Sequence, residues 1–288
     1  MALDDAMALT SRLLTSADAL AAMTARLRLA ELGEGGDPAV RAQLDHIADV
    51  LGAREMLDSL DEQERAIVVS FSRSYLRQAL ELVEDPLRES GWRYTDPVLL
   101  QAQGSASGVV ASLFAGAGLG KPDARILDVG TGVAGLAIAF CRTYPEATVV
   151  GLDPWEPSLE IARRNVEEAE LGSRITLVAS TIQDFRDDDG FDLAWLPSFF
   201  IPEVVLDEAV ARIHGLLRPG GTLVVGTTQG EEGSLETAVD NLRNLRSGGS
   251  VAGGADALER LTRAGFVGVR EAELGPDVPL RLAVGTRA

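Results

Sequence analysis

The chain reads as an α/β protein, a mainly parallel sheet of seven strands with helices on both faces over residues 121–288, preceded by an all-helical region over residues 1–120. Three observations predict this. Beyond Lys121-Pro122, short β-type runs alternate with amphipathic helical segments, as parallel strands joined by crossover helices require. Across residues 1–120, apolar positions recur at spacings of three and four, and no strand pattern is present. Finally, a glycine-rich turn at 130–135 joins the first β run to a helix, where a backbone can lie against a ligand.

Leu9, Leu13, Ala17, Leu20, Met23 and Leu27 form one stripe of the first helix. A second helix is predicted over 38–57, after a break at 33–36, with Asp37 as N-cap and Pro38 in its first turn. A third is predicted over 61–83; Ile67, Val68, Phe71, Tyr75, Ala79 and Leu82 share one face, and Asp61 with Glu64 fits a capping box. Residues 91–97 read as a loop rich in aromatics, followed by a helix over 97–115 that Gly116, Gly118 and Gly120 terminate. The seven β runs fall at 125–129, 147–152, 174–179, 191–196, 221–226, 267–272 and 280–285. Helices are predicted at 134–144, 158–169, 204–217, 234–246 and 256–264. S-G-G-S-V-A-G-G at 247–254 reads as a flexible connector.

Hydrophobic residues at 46% and charged residues at 24% give the balance of a folded, soluble chain, which excludes disorder and a membrane-embedded body. With 44 acidic and 26 basic residues the formal charge is −18, a field that repels polyanions, so no nucleic-acid partner is expected. No apolar run approaches the ~18 residues of a membrane span, and Asp4 and Asp5 stand where a secretory signal carries basic residues. The expectation is a cytoplasmic protein, monomer or homodimer, without a membrane partner. One cysteine, Cys141, cannot form an internal disulfide, and with His46 and His214 it cannot build a Cys/His zinc site; no metal is expected.

I-L-D-V-G-T-G-V-A-G, residues 126–135, is the informative segment. Gly130, Gly132 and Gly135 spell the dinucleotide fingerprint G-x-G-x-x-G. Asp128, however, stands two residues before Gly130, where a carboxylate would repel a pyrophosphate. It suits a cationic ligand. Further on, V-V-G-L-D-P-W ends a strand at Asp153, at the distance from the glycines where an acid accepts ribose hydroxyls.

These residues resemble the class I S-adenosylmethionine-dependent methyltransferase family, whose signature is a strand ending in acid-x-Gly-x-Gly. The resemblance spans 124–288 and implies a Rossmann-like fold with S-adenosyl-L-methionine as cofactor. By the same resemblance Asp128, Gly130, Thr131 and Gly132 hold the cofactor, Asp153 takes its ribose, and Pro154 and Trp155 pack on the adenine. A-S-T-I-Q-D-F at 179–185 occupies the loop where the family reads the adenine edge, making Thr181, Ile182, Gln183 and Asp184 candidates, although the usual Gly-Asp pair is missing. F-D-L-A-W-L-P at 191–197 looks like the fourth strand, with Leu196 at its cofactor end, and L-L-R-P-G-G-T-L-V-V at 216–225 looks like a turn and the fifth strand. Ala134 stands where many members have a third glycine.

The implied activity is methyl transfer by an SN2 step to oxygen, nitrogen or carbon of a small molecule, with specialised metabolism as its setting. Such transfer requires an in-line nucleophile shielded from water, and a base is optional. P-S-F-F-I-P at 197–202 follows the fourth strand at the carboxyl edge, so Ser198, Phe199 and Phe200 are acceptor-pocket candidates. Members with a histidine base carry it near position 229, where this chain has Gln229; His214 and His46 read as packing and surface residues. Tyr94, Ser198 and Glu203 are the catalytic candidates, with Glu203 equally suited to complement a helix dipole. Tyr94, Gln101, Ser198 and Phe199 are the candidates for binding the acceptor, and Arg93 for a cofactor carboxylate. Two other readings stand beside transfer: cyclisation or cleavage of S-adenosylmethionine itself, releasing methylthioadenosine, and binding without catalysis.

Overall fold

Asp37, Asp61, Asp96 and Ser234 each start a helix, their side chains accepting a backbone N–H of the first turn. At Asp61 the box is complete, because the Glu64 carboxylate also accepts from the Asp61 N–H. The computed structural model describes residues 2–33, 36–228, 230, 233–275, 278 and 280–288. By internal contacts the chain forms two units, Met1–Pro86 with Gln101–Ala106, and Leu87–Leu100 with Ser107–Ala288. Leu87–Leu100 and the residues from Ser107 to 120, within the predicted helical region, are in the unit that holds the sheet.

The first unit contains α1 (Ala2–Leu32), α2 (Pro38–Val50), α3 (Arg54–Ser59) and α4 (Glu62–Glu84). The helix predicted over 38–57 is two helices, because Gly52 takes a left-handed turn between them. Leu27, Ala48, Leu57 and Val69 form the core of this unit. Arg26 ties it together from α1, donating to Asp45 at 2.8 Å and Asp58 at 2.7 Å. Only the C-terminal part of the predicted α1 stripe is covered; Leu9 and Leu13 are exposed. On α4 the buried line runs through Val69, Ser72 and Ser74, while Phe71 is exposed and rests 4.3 Å from the Tyr75 ring.

Gly108 divides the helix predicted over 97–115 into α5 (Pro97–Ser107) and α6 (Val109–Gly116). Contrary to the expectation that no such run exists, the 20 residues Pro97–Gly116 are long and apolar enough for a membrane span by length and composition. Val110, Ala111 and Phe114 of this stretch are buried in the α/β core. The sheet follows as β1 (Arg125–Val129), β2 (Thr148–Leu152), β3 (Ile175–Val178), β4 (Phe191–Pro197), β5 (Leu217–Thr228), β6 (Val267–Glu271) and β7 (Leu280–Thr286). Its order is β3-β2-β1-β4-β5-β7-β6, with β1 to β5 parallel and β7 antiparallel to both neighbours. This is the predicted seven-stranded, mainly parallel Rossmann-like sheet. The R-P-G-G segment read as a turn lies inside β5, opposite a register shift at Phe191 and Leu193.

Alternation along the strands sends their apolar residues into two core layers. One packs Ile126, Val149, Leu193, Trp195 and Val224 against α6, α7 (Gly135–Thr143) and α8 (Glu156–Glu168). The other packs Leu127, Val129, Ala194, Leu196 and Val225 against α9 (Glu203–Leu216) and α11 (Gly254–Arg263). Cys141 is a buried free thiol whose pKa burial pushes up, and the His214 ring packs edge-on to Phe266 at 4.8 Å. After α10 (Leu235–Arg246), the predicted flexible connector is fixed. Ser247 and Ser250 are buried, Ser250 N donates to Ser198 O at 3.1 Å, and Ala252 N donates to Ser250 Oγ at 2.8 Å.

Gly226 on β5 lies under the Trp195 indole, where an added Cβ would sit 2.1 Å from the ring. Gly226→Ala is therefore predicted to cost about 1–3 kcal/mol by overpacking. Chemical denaturation checks this; an unchanged midpoint contradicts the tight β4–β5 packing.

Candidate active site

The carboxyl ends of β1 and β4 flank the point where strand order reverses, the crevice in which open α/β sheets bind ligands. Gly130 at φ +73° and Gly132 at φ +57° turn the backbone there into α7. Ala134 adopts φ +65° at the helix start, so the chain keeps a glycine-type backbone at this position, at a cost of about 1–2 kcal/mol. Gly130 N and Thr131 N both donate to Leu152 O, at 2.8 and 2.9 Å, which binds the turn to the end of β2. Gly151 on β2 leaves room for Thr131: a Cβ added to it would fall 2.6 Å from Thr131 Oγ1.

This scaffold brings two carboxylates into the protein interior. Asp128 is 1% exposed and accepts from Thr131 Oγ1 at 2.7 Å; Asp153 is 9% exposed and accepts from Gly132 N and Trp155 N, each at 2.8 Å. Burial pushes the Asp128 carboxyl up to about 6; the Thr131 hydrogen bond opposes this, and the charge of Asp153 adds to it. Burial also raises Asp153, opposed by the Trp155 and Gly132 N–H groups. Among the described residues no lysine or arginine pairs with either one. A cation near Asp128 would favour its charged form, so this donor set fits the cationic end of S-adenosylmethionine and disfavours a pyrophosphate.

Around the acids, Pro154 is exposed and Trp155 half-buried, its indole N–H donating to Tyr94 O at 2.8 Å. Tyr94 packs edge-on to Trp92 at 5.1 Å and lies under the Arg88 guanidinium at 5.4 Å. Arg93 is ion-paired with Glu89 at 2.8 Å. In the loop after β3, Thr181 Oγ1 donates to Asp184 at 2.7 Å, Ile182 is buried, and Gln183 O accepts from Arg186 at 2.7 Å. Leu196 is fully buried in the α9-side layer, which leaves only its backbone at the strand end.

The acceptor-side candidates are spoken for locally. Ser198 is buried and its hydroxyl donates to Gly226 O at 2.8 Å, joining the ends of β4 and β5. Glu203 is held by Arg260 and by the Ser250 hydroxyl, so its carboxylate serves as a clamp on the start of α9. Phe199 packs against the core, while Phe200 meets Trp92 edge-on at 5.4 Å. Gln101 belongs to the helical unit, where it is exposed. Gln229 lies outside the described residues. The bridge from Trp155 to Tyr94 was missed in the sequence, whose only hint was an aromatic-rich loop of unassigned partners. Among the described residues, no group of three His, Cys, Asp or Glu could hold a metal.

Residues 126–221 match the methyltransferase domain family. A release factor glutamine methyltransferase of Rhodopirellula baltica is 30% identical over 132 residues, 46% of this chain and 44% of that protein. A demethylmenaquinone methyltransferase of Thermus thermophilus is 36% identical over 107 residues, 37% of this chain and 48% of that protein. The chain thus spans less than half the length of these two relatives. Human N-acetylserotonin methyltransferase, solved in complex with S-adenosylmethionine, matches in structure with a TM-score of 0.70 over 98% of both chains at 14% identity, a likeness of fold.

Because folding raises the Asp128 carboxyl from the ordinary carboxylate range to about 6, it penalises the charged form. That penalty is absent below about pH 4, grows from there to about pH 6 and is constant above. Asp128→Asn removes it, so the stability of the variant relative to the native chain is predicted to rise across that window. Denaturant melts at pH 4 and pH 8 check this, and an equal difference at both contradicts the raised pKa.

Proposed function

We propose that this chain, whose residues 126–221 match the methyltransferase domain family, is a class I S-adenosylmethionine-dependent methyltransferase that binds S-adenosylmethionine at Asp128 and Asp153 and methylates a small molecule. The observation that carries the reading is the pair of buried carboxylates, without a cationic partner among the described residues, set on a left-handed glycine turn at the strand-order reversal. When bound, the cofactor supplies a methyl group activated by its sulfonium charge.

The chain's own residues bind, orient and shield. Asp153, fixed by two backbone N–H groups, keeps lone pairs for the ribose hydroxyls. Asp128, oriented by Thr131, provides negative charge toward the cationic end. Gly130 and Gly132 let the backbone approach without a side chain in between. Ile182 and the Trp155 ring supply apolar and aromatic surface for the adenine. Leaving water out strengthens each of these charge interactions. The net charge of −18 favours a small acceptor over a polyanion, and the name of the human structural neighbour points the same way.

Incubation with methyl-labelled S-adenosylmethionine and a cell metabolite extract is expected to give a labelled small molecule and S-adenosylhomocysteine. Methylthioadenosine in place of S-adenosylhomocysteine contradicts methyl transfer. Asp153→Ala is expected to weaken cofactor binding about 10- to 100-fold, the loss of charge-assisted hydrogen bonds. Since the ionised Asp128 is the form that attracts a cation, affinity is expected to rise with pH through about 6 and then level off. Calorimetric titration across pH 5 to 8 reads both effects, and a flat profile argues against the role of Asp128.

A further inference from the structure

Residues 87–100 have few turns of regular structure, yet they are fastened at several points along the carboxyl edge of the sheet. At one end, Gly91 N and Arg88 Nη2 both donate to Arg246 O, each at 3.0 Å, where α10 ends. Midway, Trp92 meets Phe200 beyond β4 at 5.4 Å between ring centroids. At the other end, Trp92, Tyr94 and Leu100 pack with Val133 of the glycine turn and Ile161 of α8. The strap therefore crosses from the α10 side to the α8 side over the ends of β4 and β1. Close to the acids, the Trp155 indole N–H donates to Tyr94 O at 2.8 Å, a side-chain hydrogen bond between the start of α8 and the strap.

Trp155 is also the residue whose backbone N–H holds the Asp153 carboxylate. One residue thus joins the ribose-binding acid to the strap. An indole N–H can only donate, and inside a half-buried site a carbonyl partner is what keeps it satisfied. A ring at this position that served only as a stacking surface would have no such requirement.

We propose that Trp155 latches the strap of residues 87–100 across the mouth of the β1–β4 crevice, and that cofactor enters and leaves when this latch opens. The ligand side of the proposal rests on the function proposed above; the latch itself is a property of the free protein. Release of the indole from Tyr94 O removes one fastening of the strap beside Asp153, while Arg88 and Gly91 stay anchored at Arg246. Trp155 is in this account a positioning residue, and the ring keeps its apolar surface for the ligand.

The bond after Arg93, whose side chain is exposed, adjoins Tyr94 and reports on the strap. In the free protein, Trp155→Phe keeps an aromatic ring and removes the donor. Limited trypsin cleavage after Arg93 is expected to accelerate about five- to tenfold, the equilibrium weight of one hydrogen bond. In stopped-flow binding of S-adenosylhomocysteine, association and dissociation are expected to speed up together, with affinity changed less than either rate. Unchanged cleavage overturns the latch, and so does faster dissociation with unchanged association, the signature of a lost ligand contact. Should Trp155→Phe fold poorly, hydrogen exchange of the Trp155 indole in the native protein decides: protection that is lost in step with opening of the strap supports the latch, and exchange at the rate of free indole overturns it. Failure of S-adenosylhomocysteine to bind the native protein removes the proposed function, while the cleavage result in the free protein still decides the latch.

Discussion

Two carboxylates brought out of water beside each other, Asp128 and Asp153, are the constraint on which the rest of this site depends. An ionised carboxyl in a protein interior is unfavourable unless paired, and among the described residues these two are held by neutral donors, one hydroxyl and two backbone N–H groups. The structure around them exists to hold that arrangement. Gly130 and Gly132 bend the chain so that an N–H reaches Asp153, Gly151 makes space for Thr131, and Thr131 fixes Asp128. Burial disfavours the charged form of both acids, and under the proposed function a cation near Asp128 offsets that cost.

The same logic separates binding groups from bracing groups at the carboxyl edge. Ser198, Ser250, Glu203 and Arg260 form a continuous set of contacts that ties β4, the connector after α10, α9 and α11 together. Polar side chains in the right neighbourhood for chemistry are here engaged in bracing: Glu203 with Arg260 and Ser250, and Ser198 with Gly226 O. That distinguishes them from the acid pair, which among the described residues has no cationic partner. The strap of residues 87–100 runs from this braced region at Arg246 and Phe200 to Val133 and Ile161 beside the glycine turn.

Much of this was legible in the sequence because it is local. Strand, turn and helix follow one another within 126–143, and the spacing from Gly132 to Asp153 is one strand–helix–strand unit, so the acids and the glycines could be placed together from residue order alone. The capping box at Asp61 was readable for the same reason. What could not be read was long in sequence. Trp155 and Tyr94 are 61 residues apart, Arg260 and Glu203 are 57 apart, and no periodicity links them. Two misses had signals. Gly52 and Gly108 sit inside predicted helices and mark their breaks, and strand alternation puts Leu196 on the same face as Ala194, into the core.

A crystal structure of the protein with S-adenosylhomocysteine tests the central claim most directly. The ribose hydroxyls are expected within hydrogen-bond distance of the Asp153 carboxylate, and the amino acid end of the ligand on the Asp128 side of the glycine turn. A ligand bound away from both carboxylates, or no ligand at saturating concentration, would contradict it.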